Sequence, residues 1–114
     1  RLLLIYSLLN LQKPIPMMQH ITLKDIDRWQ VDNVDFQLID VREPIEHEQR
    51  NIGGKLIPLG DIMRNLDAID KNKPVVVYCK RGIRSQIAIQ KLQRKLPNAD
   101  FYNLQGGIYE LLKS

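Results

Sequence analysis

Apolar and polar residues follow one another along this chain in blocks whose spacing predicts strands and helices in turn. Residues 36–41, Val75–Tyr78 and Phe101–Leu104 are short, mainly apolar runs of strand length. The run Val75–Tyr78 is rich in β-branched residues, follows Pro74 and is uninterrupted by polar residues, as expected of a central strand buried on both faces. Three strands are therefore predicted at these positions.

Helical periodicity occupies the intervals between these runs. Thr22 and Asp25 form a capping pattern that predicts a helix over residues 22–30, and short helices are predicted at 44–50, at 61–69 and close to the carboxyl end. An amphipathic helix that ends before Pro97 is predicted from the apolar residues Ile83, Ile87, Ala88, Leu92 and Leu96. Alternating strands and helices predict an α/β fold with a mostly parallel sheet and right-handed crossovers.

The amino-terminal residues show a different pattern. RLLLIYSLLNL is apolar for about ten residues, roughly half of what a bilayer crossing requires. The segment KPIP at 13–16 cannot continue a helix and is typical of a linker. We therefore expect an extension or linker from a preceding domain at 1–18 and one domain at 19–114, with no membrane contact by the domain itself. The start at Arg1 indicates a carboxyl-terminal piece of a larger chain.

Composition excludes several functional classes. Lys and Arg number 17 against 13 acidic residues, a net charge of +4 that is too small to indicate a nucleic-acid-binding domain. The single cysteine rules out an internal disulfide and a Cys-rich zinc site, and it favours a reducing, cytoplasmic location. His20 and His47 show no metal-ligand spacing, so no metal is predicted.

The single cysteine, Cys79, lies at the carboxyl end of the predicted central strand and just before a helix. Backbone N–H groups in such a loop, the freedom of Gly82 and the helix dipole all favour a thiolate, and Lys80, Arg81 and Arg84 add positive charge. A lone cysteine is otherwise most often a small buried hydrophobe. The basic, glycine-containing loop favours a nucleophile here.

Four motifs occur in order along the chain: DVRE at 40–43, IGGKLIP at 52–58, CKRGIRS at 79–85 and LQGGI at 104–108. Together they resemble a rhodanese (sulfurtransferase) domain over roughly residues 19–113. The resemblance implies a rhodanese-like fold with about five strands and helices on both faces. It also implies that Cys79 carries sulfur as a covalent persulfide, without any other cofactor. The residues expected to bind the persulfide or substrate are Lys80, Arg81, Gly82, Ile83, Arg84 and Ser85.

The resemblance assigns supporting roles to other residues. Asp40 and Arg42 are expected to buttress the site through charge-assisted hydrogen bonds, and Arg84 to hold the loop and bind an anionic donor. His47 and Asn51 occupy positions where the family often has other residues, so both are expected to pack or cap. Ser85 could cap the helix or hydrogen-bond to the sulfur, and Lys80 and Arg81 could steer substrate or simply be solvated.

The function implied is transfer of sulfane sulfur from thiosulfate or a cysteine desulfurase to an acceptor. The sequences of IGGKLIP and CKRGIRS resemble those of rhodanese domains fused to adenylyltransferases. Such adenylyltransferases activate ubiquitin-like sulfur carriers for molybdopterin or thiamine biosynthesis. Alternatives are a non-catalytic interaction module, against which Cys79, Gly82 and Arg84 argue, and a free-standing thiosulfate:cyanide sulfurtransferase. A cysteine phosphatase resembles this pattern with five residues between Cys and Arg, whereas four occur here. A dithiol oxidoreductase would need a second cysteine.

Overall fold

One sheet of five parallel strands forms the centre of the molecule, a computed structural model that describes residues 17–113. The strand order is β1-β5-β4-β2-β3. The strands are β1 His20–Ile21, β2 Gln37–Asp40, β3 Lys55–Leu56, β4 Val75–Tyr78 and β5 Phe101–Leu104. The α-helices are α1 Leu23–Val31, α2 Pro44–Gln49, α3 Arg84–Lys95 and α4 Tyr109–Leu112. The extension predicted at 1–18 falls almost entirely outside the described residues.

Both faces of the sheet are covered, as the apolar run of β4 predicts. All four residues of β4 are fully buried. Successive side chains of a strand point to opposite faces, so Val75 and Val77 pack with α3 and the segment after β3, while Val76 and Tyr78 pack with α1 and α4. The α/β architecture with helices on both faces is confirmed.

Local signals set the ends of the helices. Thr22 caps α1 through a reciprocal pair of hydrogen bonds with Asp25, in which each side chain accepts from the other residue's backbone N–H at 3.1 and 2.8 Å. α3 ends at Lys95, before Pro97, as predicted. Within residues 17–113, none of the helices combines the length and the apolar character that a bilayer crossing requires.

The α-helix predicted over residues 61–69 is wrong. Two 3-10 segments, Leu59–Arg64 and Leu66–Ala68, occupy this stretch. Asn65 separates them with a non-helical backbone, φ −125° and ψ 33°, and its side chain donates to the Asp61 carbonyl at 2.8 Å, a local bond that competes with helical hydrogen bonding. The apolar face was nevertheless correct, because Ile62 and Ile69 are buried in the core.

Candidate active site

Cys79 is placed where β4 ends and the loop to α3 begins, and its side chain is only 1% exposed. We call residues 79–85 the cysteine loop. Gly82 adopts φ of +88°, a left-handed conformation that favours glycine, and a Cβ there would lie 3.1 Å from the Gly106 nitrogen. The loop therefore folds tightly against the turn that follows β5.

Three groups of the cysteine loop contact the sulfur of Cys79. The backbone N–H groups of Gly82 and Ser85 donate to Sγ at 3.1 and 3.4 Å, and the Ser85 hydroxyl lies 3.4 Å away. Burial raises the pKa of the Cys79 thiol, but the hydrogen bonds from Ser85 and from the loop amides outweigh it and leave that pKa below its ordinary value. The hydrogen bonds expected from the loop amides are thus the main stabilisers of the thiolate, ahead of the charges of Lys80 and Arg81.

The Gly106–Gly107 turn supports the cysteine loop from below. A Cβ on Gly107 would lie 2.4 Å from the Cys79 carbonyl oxygen and 2.3 Å from that of Lys80. The Cys79 carbonyl also accepts from the Ile108 N–H at 3.1 Å. The LQGGI motif therefore contacts the cysteine loop through the backbone of Gly107. Only glycine permits so close an approach.

Arg84 links α3 to α2 rather than standing free at the helix start. Its guanidinium donates to both carboxylate oxygens of Glu46, at 2.7 and 3.0 Å. Arg84 is the leading cause that lowers the pKa of Glu46 to about 2. The sequence predicts that Arg84 holds the loop but names no partner for it. Glu46 was missed, although an acidic residue in the first turn of α2 was visible in the sequence. Anion binding by Arg84 stays a prediction.

A buried ion pair lies beside the loop at the end of β2. Arg42, 1% exposed, donates through Nε and Nη2 to both oxygens of Asp40 at 2.8–3.2 Å, and through Nη2 to the Arg50 carbonyl at 2.6 Å. Burial raises the pKa of Asp40, but the hydrogen bonds from Arg42 and His47 lower it by more. The net shift of this pKa is therefore downward. Asp40 and Arg42 thus make the charge-assisted bonds expected of them; their support of catalysis stays a prediction.

His47 and Asn51 extend this cluster. The His47 ring places Nδ1 2.8 Å from Oδ2 of Asp40, a polar contact beyond the packing or capping predicted for it. Asn51 donates to the His47 carbonyl at 2.8 Å, which satisfies a backbone acceptor at the end of α2 as a cap does.

Ser85 also contacts a residue that the sequence analysis did not select. Its hydroxyl forms a short hydrogen bond to Oδ1 of Asn103 in β5, and the Asn103 amide nitrogen lies 3.1 Å from Nδ1 of His20 in β1. Ser85 and Asn103 are at most 1% exposed. The helix cap position belongs to Ile83, so Ser85 faces the sulfur rather than capping α3. The signal for Asn103 was a polar residue inside the predicted strand FYNL.

The cysteine loop opens to solvent through a surface pocket of about 330 Å³. Its lining residues are Cys79, Lys80, Arg81, Ile83 and Arg84. The guanidinium of Arg81 stacks 4.0 Å from the centre of the Tyr109 ring, so this cation is held rather than freely solvated. Although Cys79 is nearly buried, it contributes to the lining of this pocket together with one lysine and two arginines.

Comparison with known proteins agrees with this geometry. A family model described as a rhodanese-like domain matches residues 22–114. The chain belongs to the rhodanese-like family. Relatives of this rhodanese-like chain include the uncharacterized protein YqhL of Bacillus subtilis, 46% identical over 72 residues that cover 62% of this chain and 56% of YqhL.

Two other relatives have names that state an activity. "Probable adenylyltransferase/sulfurtransferase MoeZ" of Mycobacterium tuberculosis is 35% identical over 77% of this chain but only 23% of its own length. "Thiosulfate sulfurtransferase GlpE" of Coxiella burnetii is 30% identical over 79% of this chain and 85% of GlpE. This rhodanese-like chain therefore spans about half of YqhL, a quarter of MoeZ and most of GlpE.

A solved structure shows the same fold. SSP1007 from Staphylococcus saprophyticus superposes with a TM-score of 0.74 at 29% identity, covering 82% of this chain and 92% of SSP1007. The rhodanese-like α/β fold inferred from four short motifs is thereby confirmed.

Proposed function

We propose that this protein is a sulfurtransferase that carries sulfane sulfur as a persulfide on Cys79. The observation that supports it best is the pair of backbone donors on one sulfur, the N–H groups of Gly82 and Ser85, with the Ser85 hydroxyl 3.4 Å from the same atom. Donors fixed in this way stabilise negative charge on the Cys79 sulfur, which is the attacking thiolate in the first step and the leaving thiolate in the second. The family and the names of GlpE and MoeZ support the same reaction.

In the first step the Cys79 thiolate attacks the outer sulfur of thiosulfate. A bond forms between the two sulfur atoms, the bond from the outer sulfur to the SO₃ group breaks, and sulfite leaves with the electron pair. The cysteine becomes a persulfide anion and no net oxidation is needed. Lys80, Arg81 and Arg84, which line the pocket, would attract the dianionic donor.

In the second step a nucleophile attacks the terminal sulfur of the persulfide. The sulfur–sulfur bond breaks, the electron pair returns to Cys79 as thiolate, and the nucleophile leaves with the sulfur atom. With cyanide the product is thiocyanate, and with a thiolate it is a new persulfide. No second cysteine is required, which fits a chain that contains one.

The partners belong to the same proposal. The donor is thiosulfate or the persulfide of a cysteine desulfurase in the cytoplasm, and the resemblance to MoeZ supports a ubiquitin-like sulfur carrier as acceptor, as in molybdopterin or thiamine biosynthesis. The terminal sulfur would attack the carrier's acyl-adenylate, expelling AMP. An external thiol would then cleave the resulting disulfide and leave a thiocarboxylate on the carrier.

The decisive experiment is the intact mass of the protein after incubation with thiosulfate, for wild type and for Cys79→Ser, before and after a reductant. We expect wild type alone to gain one sulfur atom, which the reductant removes. If thiosulfate gives no gain, a cysteine desulfurase with cysteine serves as the donor. Failure with both donors would overturn the proposal in favour of an interaction module or a phosphatase.

A further inference from the structure

Four polar side chains form a continuous chain of contacts from the protein surface to the reactive sulfur. His20 Nδ1 lies 3.1 Å from Asn103 Nδ2, Asn103 Oδ1 accepts from the Ser85 hydroxyl, and Ser85 Oγ lies 3.4 Å from Cys79 Sγ. The two middle members are buried and the outer histidine is exposed. The proposed sulfur chemistry uses only the Cys79 end of this chain.

The sheet register explains why these residues meet. His20 pairs with Asn103 across β1 and β5, and Asn103 pairs with Val77 across β5 and β4. Paired residues place their side chains on the same face, and Cys79 follows Val77 by two residues. The chain of contacts therefore crosses three neighbouring strands on one face of the sheet and ends at the start of α3.

The hydrogen bonds in this chain can run in only two directions. A carboxamide has a donor end and an acceptor end, and a hydroxyl has one hydrogen, so the direction at one end determines the direction at the other. In the arrangement described, Asn103 donates to His20 and accepts from Ser85. The Ser85 oxygen then faces the sulfur as an acceptor, which suits a protonated thiol.

A thiolate requires the opposite direction, because a deprotonated sulfur only accepts. Ser85 must then donate to sulfur and accept from the Asn103 amide nitrogen, so the amide turns over and presents its oxygen to His20. That oxygen needs a hydrogen on Nδ1, which the protonated ring always supplies and the neutral ring supplies only in its Nδ1–H tautomer. We infer that His20 is a positioning residue for the Cys79 sulfur, acting through the two buried side chains between them.

Proton balance is simple in this arrangement. The thiol proton leaves to solvent through the pocket, and His20 takes a proton from solvent at its exposed ring, so no proton passes through the amide. By linkage, protonation of His20 favours the thiolate and the thiolate favours protonated His20. A protonated His20 thereby supports the reactivity of Cys79.

Within residues 17–113, the charged groups beside β1 and β5 that are named below are already engaged. β1 packs on β5, whose own residues 101–104 include no Asp, Glu, Lys or Arg, and Tyr102 contacts Trp29. Asp100, just before β5, accepts from the Gln19 side chain at 2.7 Å. At the start of α1, Asp25 caps the helix through Thr22. The Asn103 amide is thus the contact through which His20 reaches the sulfur.

The test is the pH dependence of alkylation of Cys79 by iodoacetamide. This reaction needs no sulfur donor, so its outcome is independent of the proposed sulfurtransferase function. In His20→Phe we expect the rate at the acid end of the profile to fall about threefold, less than the loss of a direct hydrogen bond to a charged group. At high pH, where the thiol is ionised in both proteins, the rates should agree.

Two variants separate hydrogen-bond direction from simple charge. His20→Lys keeps a permanent donor beside Asn103 and should retain the wild-type rate on the acid side. Gln19→Lys combined with His20→Phe adds the same charge one residue away, and should leave the rate low. Identical pH profiles for wild type and His20→Phe, or equal rescue by both lysines, would overturn the inference. Because position 20 is exposed, thermal unfolding should show all variants folded.

Discussion

The backbone of Gly107 packs directly against the carbonyl group of Cys79. A Cβ at position 107 would lie 2.4 Å from the Cys79 oxygen, and Gly107 adopts φ of +61°. The cysteine loop and the turn after β5 therefore form one unit, although Gly107 follows Cys79 by 28 positions. Any side chain at 107 must push the loop away from the turn.

Gly107→Ala is therefore expected to destabilise the protein by about 3 kcal/mol or more, because steric clash adds to backbone strain. The thiol should also become less reactive, because the loop donors move away from the sulfur. Urea unfolding and the alkylation rate measure the two effects. Gly106→Ala is the matched control: φ is +75°, but a Cβ there meets nothing within 4 Å. Its cost should be about 1–2 kcal/mol, and an equal cost at both positions would contradict the prediction.

Ser85→Ala should raise the pKa of the Cys79 thiol, because it removes a hydrogen bond that favours the thiolate. Below that pKa the alkylation rate should fall about tenfold, the effect expected for a hydrogen bond to a charged group, whereas the high-pH plateau should change little. The rate is measured with iodoacetamide across the pH range, with Cys79→Ser as the blank. An unchanged profile would show that the loop amides alone stabilise the thiolate.

The same shift makes folding stability depend on pH. The folded pKa of Cys79 lies below that of the unfolded thiol, so its contribution is fully present above the unfolded value and disappears as the pH falls through the folded value. The difference in unfolding free energy between wild type and Cys79→Ser should therefore increase with pH over that interval.

Glu46→Gln tests the link between α2 and α3. Both partners are partly exposed, so we expect a loss of about 1 kcal/mol or less at neutral pH. The pKa of Glu46 is about 2 when folded against a usual value of 4.5, so the stabilisation is present above 4.5 and disappears as the pH falls towards 2. Urea unfolding of both proteins across this range should show the difference vanish. Glu48→Gln, on the exposed side of α2, should have the same free energy of unfolding as wild type at neutral and at acid pH.

Asp40→Asn is expected to cost about 3–5 kcal/mol, because it leaves the buried guanidinium of Arg42 without a counter-charge. The free energy of unfolding measures this loss. Asp35→Asn is the control, since Asp35 pairs with Lys73 at the surface and is 83% exposed there. A small effect at Asp40 would mean that the Arg50 carbonyl and the Tyr78 ring suffice to hold Arg42.

The parts of the site that could be predicted from sequence are those formed by adjacent residues. The run VVVY, Cys79 and Gly82 follow one another, so strand, thiol and tight turn were all visible in one stretch. The Glu46–Arg84 pair joins residues 38 positions apart, and Asn103 reaches His20 over 83. Such contacts depend on which strands become neighbours, and β1 is only two residues long, too short for a periodic pattern.

The late position of β5 and its turn along the chain determines when Cys79 becomes reactive during synthesis. Cys79 is added to the nascent chain before Asn103 and Gly107, yet those residues contact Ser85 and support the loop. Until the last turn docks, the thiol of a nascent chain has the properties of an ordinary cysteine. Enhanced reactivity is therefore acquired only when β5 and the Gly106–Gly107 turn pack against the cysteine loop, and a chain cut before β5 keeps Cys79 as an ordinary thiol.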